Sequence, residues 1–218
     1  MTDPPPTQPS PTQPSSTQPS STQAPPTQAI DWEGRYRDGA TGWERAGLNP
    51  TFSAWRESGA LVPCRILVPG AGRSPEPVAL AEAGFDVTLV DASPTATATQ
   101  RARLERLHVK AQVTQADLLL WNPPTPFDAI YDQACLCALP PAIWPDYTVR
   151  LRRWLKPGGA LFILFMQSTR AGGPPFHCDL GQMRLLFPES DWIWPETLPA
   201  TVAHSPGIDE QPAVLRAR

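Results

Sequence analysis

The 218-residue sequence lacks several features that define common classes of protein. It has no excess of basic residues, since 18 Lys and Arg stand against 21 Asp and Glu and the formal net charge is −3. Binding to nucleic-acid phosphates needs clustered positive charge, so the composition predicts no nucleic-acid partner. No apolar run approaches the ~20 residues of a membrane span, and the sequence does not open with a secretion signal. We therefore expect a cytoplasmic protein that does not bind membranes.

Cysteines are few and widely spaced. The four of them, Cys64, Cys135, Cys137 and Cys178, form neither a Cys-x-x-Cys pair nor a dense framework. This spacing is typical of a protein from a reducing compartment, and it predicts neither a disulfide framework nor a metal site. We interpret Cys135 and Cys137 as small apolar core residues, because nothing cationic is predicted beside them to make either thiol reactive.

Residues 1–29 contain almost no apolar side chains. Thr-Gln recurs there every five residues, and the positions between are filled with Pro and Ser. Such a segment cannot bury enough surface to offset the ~1–2 kcal/mol per residue that ordering a backbone costs. We expect a disordered tail, followed by one folded domain over residues 30–218. A proline-rich ligand for a partner domain is the alternative, although no P-x-x-P run is flanked by basic residues.

Predicted strands and helices alternate through the folded part. Apolar runs predict strands at 65–69, 87–90, 111–114, 127–131 and 160–165, and helices are predicted at 31–37, 50–58, 75–83, 96–107, 144–155 and 182–186. This alternation is typical of a mostly parallel sheet with helices on both faces. Residues 192–195 and 213–216 are predicted to pair as an antiparallel C-terminal edge. The expected fold is α/β and Rossmann-like, with a seven-stranded sheet.

A glycine turn follows the first predicted strand. Gly70 and Gly72 are followed by a helical stretch and a second apolar run that ends at Asp91, 19 residues beyond Gly72. An acid at the end of the second strand can accept hydrogen bonds from both ribose hydroxyls of an adenosine cofactor bound over the turn. Pro75 stands where a dinucleotide fingerprint has its third glycine, which disfavours a nicotinamide cofactor and suits a ligand without phosphates, such as S-adenosylmethionine. An ordinary turn without a ligand is the alternative.

Two further acids follow predicted strands. Ligands in an open parallel sheet lie at the carboxyl ends of the strands, which makes acids at these positions candidates for cofactor binding. We expect Asp91 to bind the ribose, Asp117 with Leu118 to bind adenine, and Asp132 to bind the cationic end of the cofactor's methionine part. For any single Asp, a helix cap or a loop acid is the competing interpretation.

Several motifs together resemble the thiopurine S-methyltransferase family, and most closely its thiol, thiocyanate and halide methyltransferase branch. The motifs are Leu67-Val68-Pro69-Gly70-Ala71-Gly72, Leu89-Val90-Asp91, Phe127-Asp128-Ala129-Ile130-Tyr131-Asp132, Leu136-Cys137-Ala138, Leu155-Lys156-Pro157-Gly158-Gly159 and Gly172-Gly173-Pro174-Pro175-Phe176. The resemblance covers residues 31–187. It implies a class I methyltransferase fold with S-adenosyl-L-methionine as cofactor and a small-molecule methyl acceptor.

The resemblance also implies an aromatic lid, which consists of Trp32, Tyr36 and Trp43. Aromatic faces attract a sulfonium cation and stack on a base, so these rings suit the cofactor chemically. The alternative is that Trp32 and Tyr36, four residues apart, only pack a short amphipathic helix onto the sheet.

The acceptor side departs from the family pattern. Gln133 stands where thiopurine enzymes carry an arginine, and Met166 stands where the halide and thiocyanate branch commonly has a tyrosine. With Phe176 and His177, these two residues are the predicted acceptor contacts. A thiolate needs no strong general base, and no catalytic residue is assigned. We expect a monomeric enzyme that methylates a small thiol by in-line displacement. Methylation of halide, thiocyanate, tellurite or selenite, and a non-catalytic cofactor-binding module, are the alternatives.

Overall fold

The computed structural model describes residues 1–2 and 30–218. The prediction of a disordered tail falls on residues 3–29 and so lies outside the described part. Among the described residues, no helix is both long enough and apolar enough to cross a membrane.

The described part alternates between strands and helices. The helices are α1 (Trp32–Arg37), α2 (Pro50–Glu57), α3 (Glu76–Glu82), α4 (Pro94–Arg106), α5 (Cys135–Ala138), α6 (Trp144–Trp154) and α7 (Leu180–Leu186). The strands are β1 (Arg65–Pro69), β2 (Asp86–Asp91), β3 (Gln112–Gln115), β4 (Phe127–Asp132), β5 (Leu155–Ser168), β6 (Trp192–Ile193), β7 (Val202–Ser205) and β8 (Ile208–Ala217). A short 3₁₀ turn, Pro141–Ile143, precedes α6.

One sheet in the order β3-β2-β1-β4-β5-β8-β6 forms the centre of the fold, and β7 also pairs with β8. Strands β1 to β5 pair in parallel, and β8 runs antiparallel to β5 from Ala160↔Arg216 to Ser168↔Ile208. The predicted α/β fold with an antiparallel C-terminal edge is confirmed. β6 and β7 pair with opposite ends of the outer edge of β8, so eight strands build a sheet that is seven strands wide.

Apolar clusters lie on both faces of the sheet, because successive strand residues point to opposite sides. In β4, Ile130 packs with residues of α5, α6 and α7, whereas Ala129 and Tyr131 pack with residues of α2, α3 and α4. Helices therefore cover both faces, which leaves the carboxyl ends of the parallel strands as the place where a ligand can enter.

Several local features differ from expectation. Residues 156–159 were expected to end α6 and precede a strand, but β5 begins at Leu155, directly after the helix. The Pro and Gly residues are accommodated as an irregularity against β4, whose pairing jumps from Phe127↔Leu155 to Ala129↔Ala160. The sequence predicted neither α5 nor β7, and β8 begins at Ile208, before the predicted residue 213.

Candidate cofactor and acceptor site

The glycine turn after β1 has the backbone geometry that only glycine adopts easily. Gly70 and Gly72 have φ values of +54° and +53°, in the left-handed region. A Cβ on Gly72 would lie 2.6 Å from the hydroxyl of Tyr36 in α1, and one on Gly70 would lie 2.7 Å from the sulfur of Cys135. The turn is therefore in close contact with α1 on one side and α5 on the other, and a larger residue at either position would push these elements apart.

Asp91 ends β2 beside this turn. Its Oδ2 accepts a 2.8 Å hydrogen bond from the backbone N–H of Gly72, and its Oδ1 accepts one of 2.8 Å from Ser93. The residue is only 8% exposed, and burial raises the pKa of its carboxyl group against the lowering effect of these two hydrogen bonds. Each carboxylate oxygen has a second acceptor site, so Asp91 can accept further hydrogen bonds from a pair of ligand hydroxyls.

A cavity of about 600 Å³ runs along the carboxyl ends of the strands. Most of the residues predicted for cofactor or acceptor contacts line it. They are Trp32, Tyr36, Trp43, Gly70, Gly72, Asp91, Asp117, Leu118, Gln133 and Met166. The structure thus brings together residues that are up to 134 positions apart in the sequence, as the strand-end argument predicted.

The aromatic lid closes one side of this cavity. The ring of Trp43 meets those of Trp32 and Tyr36 edge-on, with centroid distances of 5.3 and 5.6 Å. The guanidinium of Arg73 lies 4.9 Å from the Tyr36 ring centroid and binds both carboxylate oxygens of Glu44 at 2.7 Å. Tyr36 is therefore held between the glycine turn and a cation.

A carboxylate anchors the lid helix to the sheet. Glu33 in α1 accepts hydrogen bonds of 2.6 Å from the hydroxyls of Ser93 and Thr95, at the start of α4. The two hydroxyls lower the pKa of Glu33. Ser93 also caps α4, with its Oγ accepting from the N–H of Ala96 at 3.0 Å. The position of α1 over the cavity thus depends on the segment that follows Asp91.

Asp132 does not line the cavity, in contrast to the prediction that it would bind the cofactor. Its side chain lies beneath α5, where Oδ1 accepts from the N–H groups of Cys135 and Leu136 and Oδ2 accepts from the hydroxyl of Tyr147 at 2.8 Å. The residue is 1% exposed, and burial raises its pKa to about 6. Asp132 lies at the edge of the sheet that its position at a strand end predicted. Its side chain, however, caps the start of α5, which was the alternative interpretation.

Phe176 and His177 also lie outside the cavity lining. A Cβ on Gly173 would lie 2.5 Å from the ring of Phe176, so that ring is packed on its own loop. His177 is exposed, and its Nδ1 accepts a hydrogen bond of 3.1 Å from the N–H of Ser168. Pro174 and Pro175 of the same loop line the cavity in their place.

Asp117 and Leu118 follow β3 and line the cavity, and their contact with adenine stays a prediction. The side chain of Asp117 accepts a 2.8 Å hydrogen bond from the N–H of Leu119 and the residue is otherwise exposed, whereas Leu118 is buried. An exposed acceptor next to a buried apolar side chain is a suitable surface for the edge and face of a base.

A polar cluster at the other end of the cavity was missed by the sequence analysis. Glu210 of β8 is fully buried and accepts hydrogen bonds from Arg45 Nη2 at 3.0 Å and Asn49 Nδ2 at 2.7 Å, and its Oε1 lies 3.1 Å from Nδ1 of His204. Arg45, Glu76 and His204 line the cavity. One feature of the sequence could have indicated this cluster. The Pro206-Gly207 pair is typical of a turn between two strands, and such a hairpin would bring His204 close to Glu210.

Two groups of residues contribute to the lining of the cavity. One group follows β1, β2 and β3 and contains the glycine turn, Asp91 and Asp117. The other contains Gln133 after β4, Met166 of β5 and His204 of β7, with Arg45 and Glu76 also in the lining. The size of the cavity, the left-handed turn, the buried acid and the aromatic lid fit an adenosyl cofactor with a sulfonium centre.

Comparison with known proteins agrees with this geometry. The family model described as thiopurine S-methyltransferase (TPMT) matches residues 27–193. The protein named "Probable thiol methyltransferase 2" of Arabidopsis thaliana is 32% identical over 154 residues, which cover 69% of this chain and 68% of that protein. The thiopurine S-methyltransferase of one Vibrio cholerae strain is 28% identical over 172 residues, or 72% and 79% of the two chains.

The solved structures show the same fold. The 1,6-didemethyltoxoflavin-N1-methyltransferase of Burkholderia thailandensis, solved with S-adenosylhomocysteine, superposes with a TM-score of 0.67 at 19% identity over 84% of both chains. The family match covers the glycine turn, the lid and the strand-end acids. The chain therefore belongs to the thiopurine S-methyltransferase family and is an S-adenosylmethionine-dependent methyltransferase with a Rossmann-like fold.

Proposed function

We propose that this enzyme methylates the sulfur of small thiols. The observation that carries the proposal is one continuous cavity of about 600 Å³. We assign its part around Asp91 as the cofactor end and its part lined by Gln133, Met166 and His204 as the acceptor end. Met166, Cys137 and Ile208 give the acceptor end an apolar lining that suits a soft, weakly hydrated nucleophile. Relatives named for thiols and thiopurines act, by their names, on sulfur.

We assign the cofactor contacts residue by residue. Asp91 receives the ribose hydroxyls, Asp117 and Leu118 receive the adenine, and Gly70 and Gly72 allow the ligand to approach the backbone. The rings of Trp32, Tyr36 and Trp43 cover the sulfonium side, where their faces attract positive charge. Asp132 supports this site from below by holding the start of α5 against the glycine turn.

The bound cofactor supplies an already activated methyl group. The protein's task is therefore to orient the acceptor sulfur in line with that methyl and to keep water out. Such orientation can contribute ~7–11 kcal/mol in favourable cases. The aromatic lid excludes water on one side of the cavity. Pro174 and Pro175, in the loop after β5, also line the cavity and limit the access of water.

The test is an acceptor panel with radiolabelled methyl donor. Small alkyl and aryl thiols, a thiopurine, iodide, thiocyanate and tellurite are incubated with the enzyme and with Asp91→Asn as a matched control. We expect label in the thioether products and much less with the variant. Label only in products of iodide, thiocyanate or tellurite, or in none, would contradict the thiol assignment.

We further propose that the enzyme acts as a cytoplasmic monomer on small molecules and not on nucleic acids. The net charge of −3 and the four free cysteines support this. Residues 30–218 form the catalytic domain in this proposal, with residues 1–29 as a tail that catalysis does not need. Light scattering and deletion of residues 1–29 test these points.

A further inference from the structure

The acceptor end holds a histidine in contact with a buried carboxylate. His204 lies in β7, and its side chain is 7% exposed. Nδ1 lies 3.1 Å from Oε1 of Glu210, whose side chain is completely buried. The hydrogen bond to the carboxylate fixes the orientation of the ring. Among the described residues Nε2 has no hydrogen-bond partner, and His204 lines the cavity.

Charged and polar side chains surround the histidine. Oε2 of Glu210 is neutralised by Arg45 and held by Asn49, while Oε1 faces the imidazole. Protonation of His204 would place a cation directly against this carboxylate. Glu76 of α3 also lines the cavity, with one oxygen accepting from the N–H of Asn49 at 2.7 Å. A carboxylate behind an imidazole stabilises the imidazolium and sets which nitrogen faces the substrate.

The sheet places this pair beside the predicted acceptor contacts. Glu210 is the direct cross-strand partner of Met166, and Ile208 pairs with Ser168 at the carboxyl end of β5. Both His204 and Glu210 lie beyond residue 193, where the family match ends, so the family likeness does not supply a role for them.

We infer that His204 is the catalytic base that removes the proton of the acceptor thiol, with Glu210 as its positioning residue. This inference rests on the proposed thiol methylation. The acceptor class thereby includes small thiols that are still protonated at neutral pH, alongside thiols that are already ionised. The protonated thiols need a base, whereas an anion that is already ionised does not.

The S–H bond of the acceptor breaks and its proton goes to Nε2 of His204. The acceptor sulfur forms a new bond to the methyl carbon, and the electron pair of the breaking carbon–sulfonium bond stays on the cofactor's sulfur. The products are a methyl thioether and a neutral adenosyl thioether, and the imidazolium returns its proton to water.

His204→Asn is the decisive variant. An Asn amide can keep the hydrogen bond to Glu210, but it has no basic nitrogen. Only a few per cent of a thiol with pKa about 8.5 is thiolate at pH 7, so we expect kcat/KM for an alkyl thiol to fall about ten- to thirtyfold. For an aryl thiol that is already ionised we expect a change of less than about threefold. His177→Asn, a histidine outside the cavity, should change neither.

A second measurement does not depend on turnover. An aryl thiol is added to the S-adenosylhomocysteine complex at a pH one unit below the thiol's own pKa, and the near-ultraviolet thiolate band is recorded. The wild type should bind it as thiolate, and His204→Asn should bind it as the neutral thiol. Glu210→Gln should lower the bound thiolate fraction. An unchanged fraction in this variant would remove Glu210 from its positioning role.

The outcomes separate the two proposals. If the wild type binds and methylates no thiol, the proposed function fails. If it methylates both thiols but His204→Asn loses both equally, or loses neither, the function stands and His204 is not the base. Should His204→Asn unfold, the same comparison is made with His204→Gln. The measured quantity is the ratio of kcat/KM for the alkyl thiol to kcat/KM for the aryl thiol, which does not depend on how much of the variant is folded.

Discussion

Tyr147 donates a 2.8 Å hydrogen bond to Oδ2 of Asp132, and both side chains are completely buried beneath the candidate site. The carboxylate also holds the first N–H groups of α5 through its other oxygen. A buried acid with three donors is a structural element of the rim, and its ionisation is coupled to folding.

The stability of the protein should therefore depend on the ionisation of Asp132. Burial raises its pKa in the folded state to about 6 from an ordinary value of 3.8. The folded state thus holds the proton more tightly, so its stabilising effect is complete below about pH 4 and is lost as the pH rises through 6. The full effect is on the order of 3 kcal/mol.

Urea unfolding of the wild type and Asp132→Asn between pH 4 and 7 tests this. The variant should gain stability relative to the wild type as the pH rises from 4 to 6, with no further change above. Asp128→Asn is the control, because Lys156 lowers the pKa of Asp128, so its stability changes with pH only below about pH 4 and the difference between this variant and the wild type should stay nearly constant from pH 4 to 7. A stability difference for Asp132→Asn that stays constant with pH would show that this carboxyl titrates normally.

Replacement of Asp91 should weaken cofactor binding. Asp91→Asn keeps an acceptor for Gly72 or Ser93 but loses the charge that we place against the ribose, so S-adenosylmethionine affinity should fall by ~1.5–3 kcal/mol. Calorimetry gives the affinity and circular dichroism checks the fold. Asp117→Asn is the matched comparison. This variant should lose less affinity for S-adenosylmethionine, because the side chain of Asp117 is exposed. Equal losses at the two positions would argue against the ribose assignment.

The aromatic lid should distinguish the charged from the neutral cofactor. Trp32→Ala should reduce affinity for S-adenosylmethionine more than for S-adenosylhomocysteine, by ~0.5–2 kcal/mol, because only the former carries a sulfonium charge. The two ligands share adenine, ribose and the amino acid group. The ratio of their binding affinities is therefore insensitive to packing contacts that the variant loses with both ligands. If both affinities fall together, the ring contributes apolar cover alone. No loss for either ligand would mean that α1 only closes the core.

Gly72→Ala should weaken both the fold and cofactor binding. The left-handed backbone costs an alanine ~1–2 kcal/mol, and the new Cβ meets the Tyr36 hydroxyl. Adding Tyr36→Phe removes that hydroxyl, so the double variant should recover part of the lost stability but not the backbone part. Thermal unfolding of the four proteins measures the coupling. Strict additivity would show that Tyr36 moves away at no cost.

Local sequence patterns predicted most of the sheet because buried parallel strands are continuous apolar runs. β1 lies at the predicted residues 65–69. β7 was missed because its four residues, Val202–Ser205, include only two apolar ones. β8 was predicted only from residue 213, since Pro212 interrupts the pattern. Within the part of the chain that the structure describes, no strand pairs with the outer edge of β8 between residues 210 and 216, where a proline costs no outer hydrogen bond.

The site was predicted as far as strand ends determine it. Asp91, Asp117 and Asp132 all follow strands, but sequence does not say whether a side chain at a strand end points into the cavity or under the next helix. The side chain of Asp132 points under α5 because the first N–H groups of that helix donate hydrogen bonds to it. The contact of His204 with Glu210 depends on a hairpin register that contains an irregularity between residues 203 and 205, and this shift has no sequence signature.

The late position of β7 and β8 in the chain has a consequence for how this enzyme could diversify. Although these strands come last, the antiparallel pairing of β8 with β5 brings them to the same rim as the glycine turn. His204 and Glu210, the part of the proposed acceptor end that lies on β7 and β8, are thus encoded far from the glycine turn and Asp91. Changes in codons 199–218 can alter that part of the cavity while the residues proposed to bind the methyl donor stay the same.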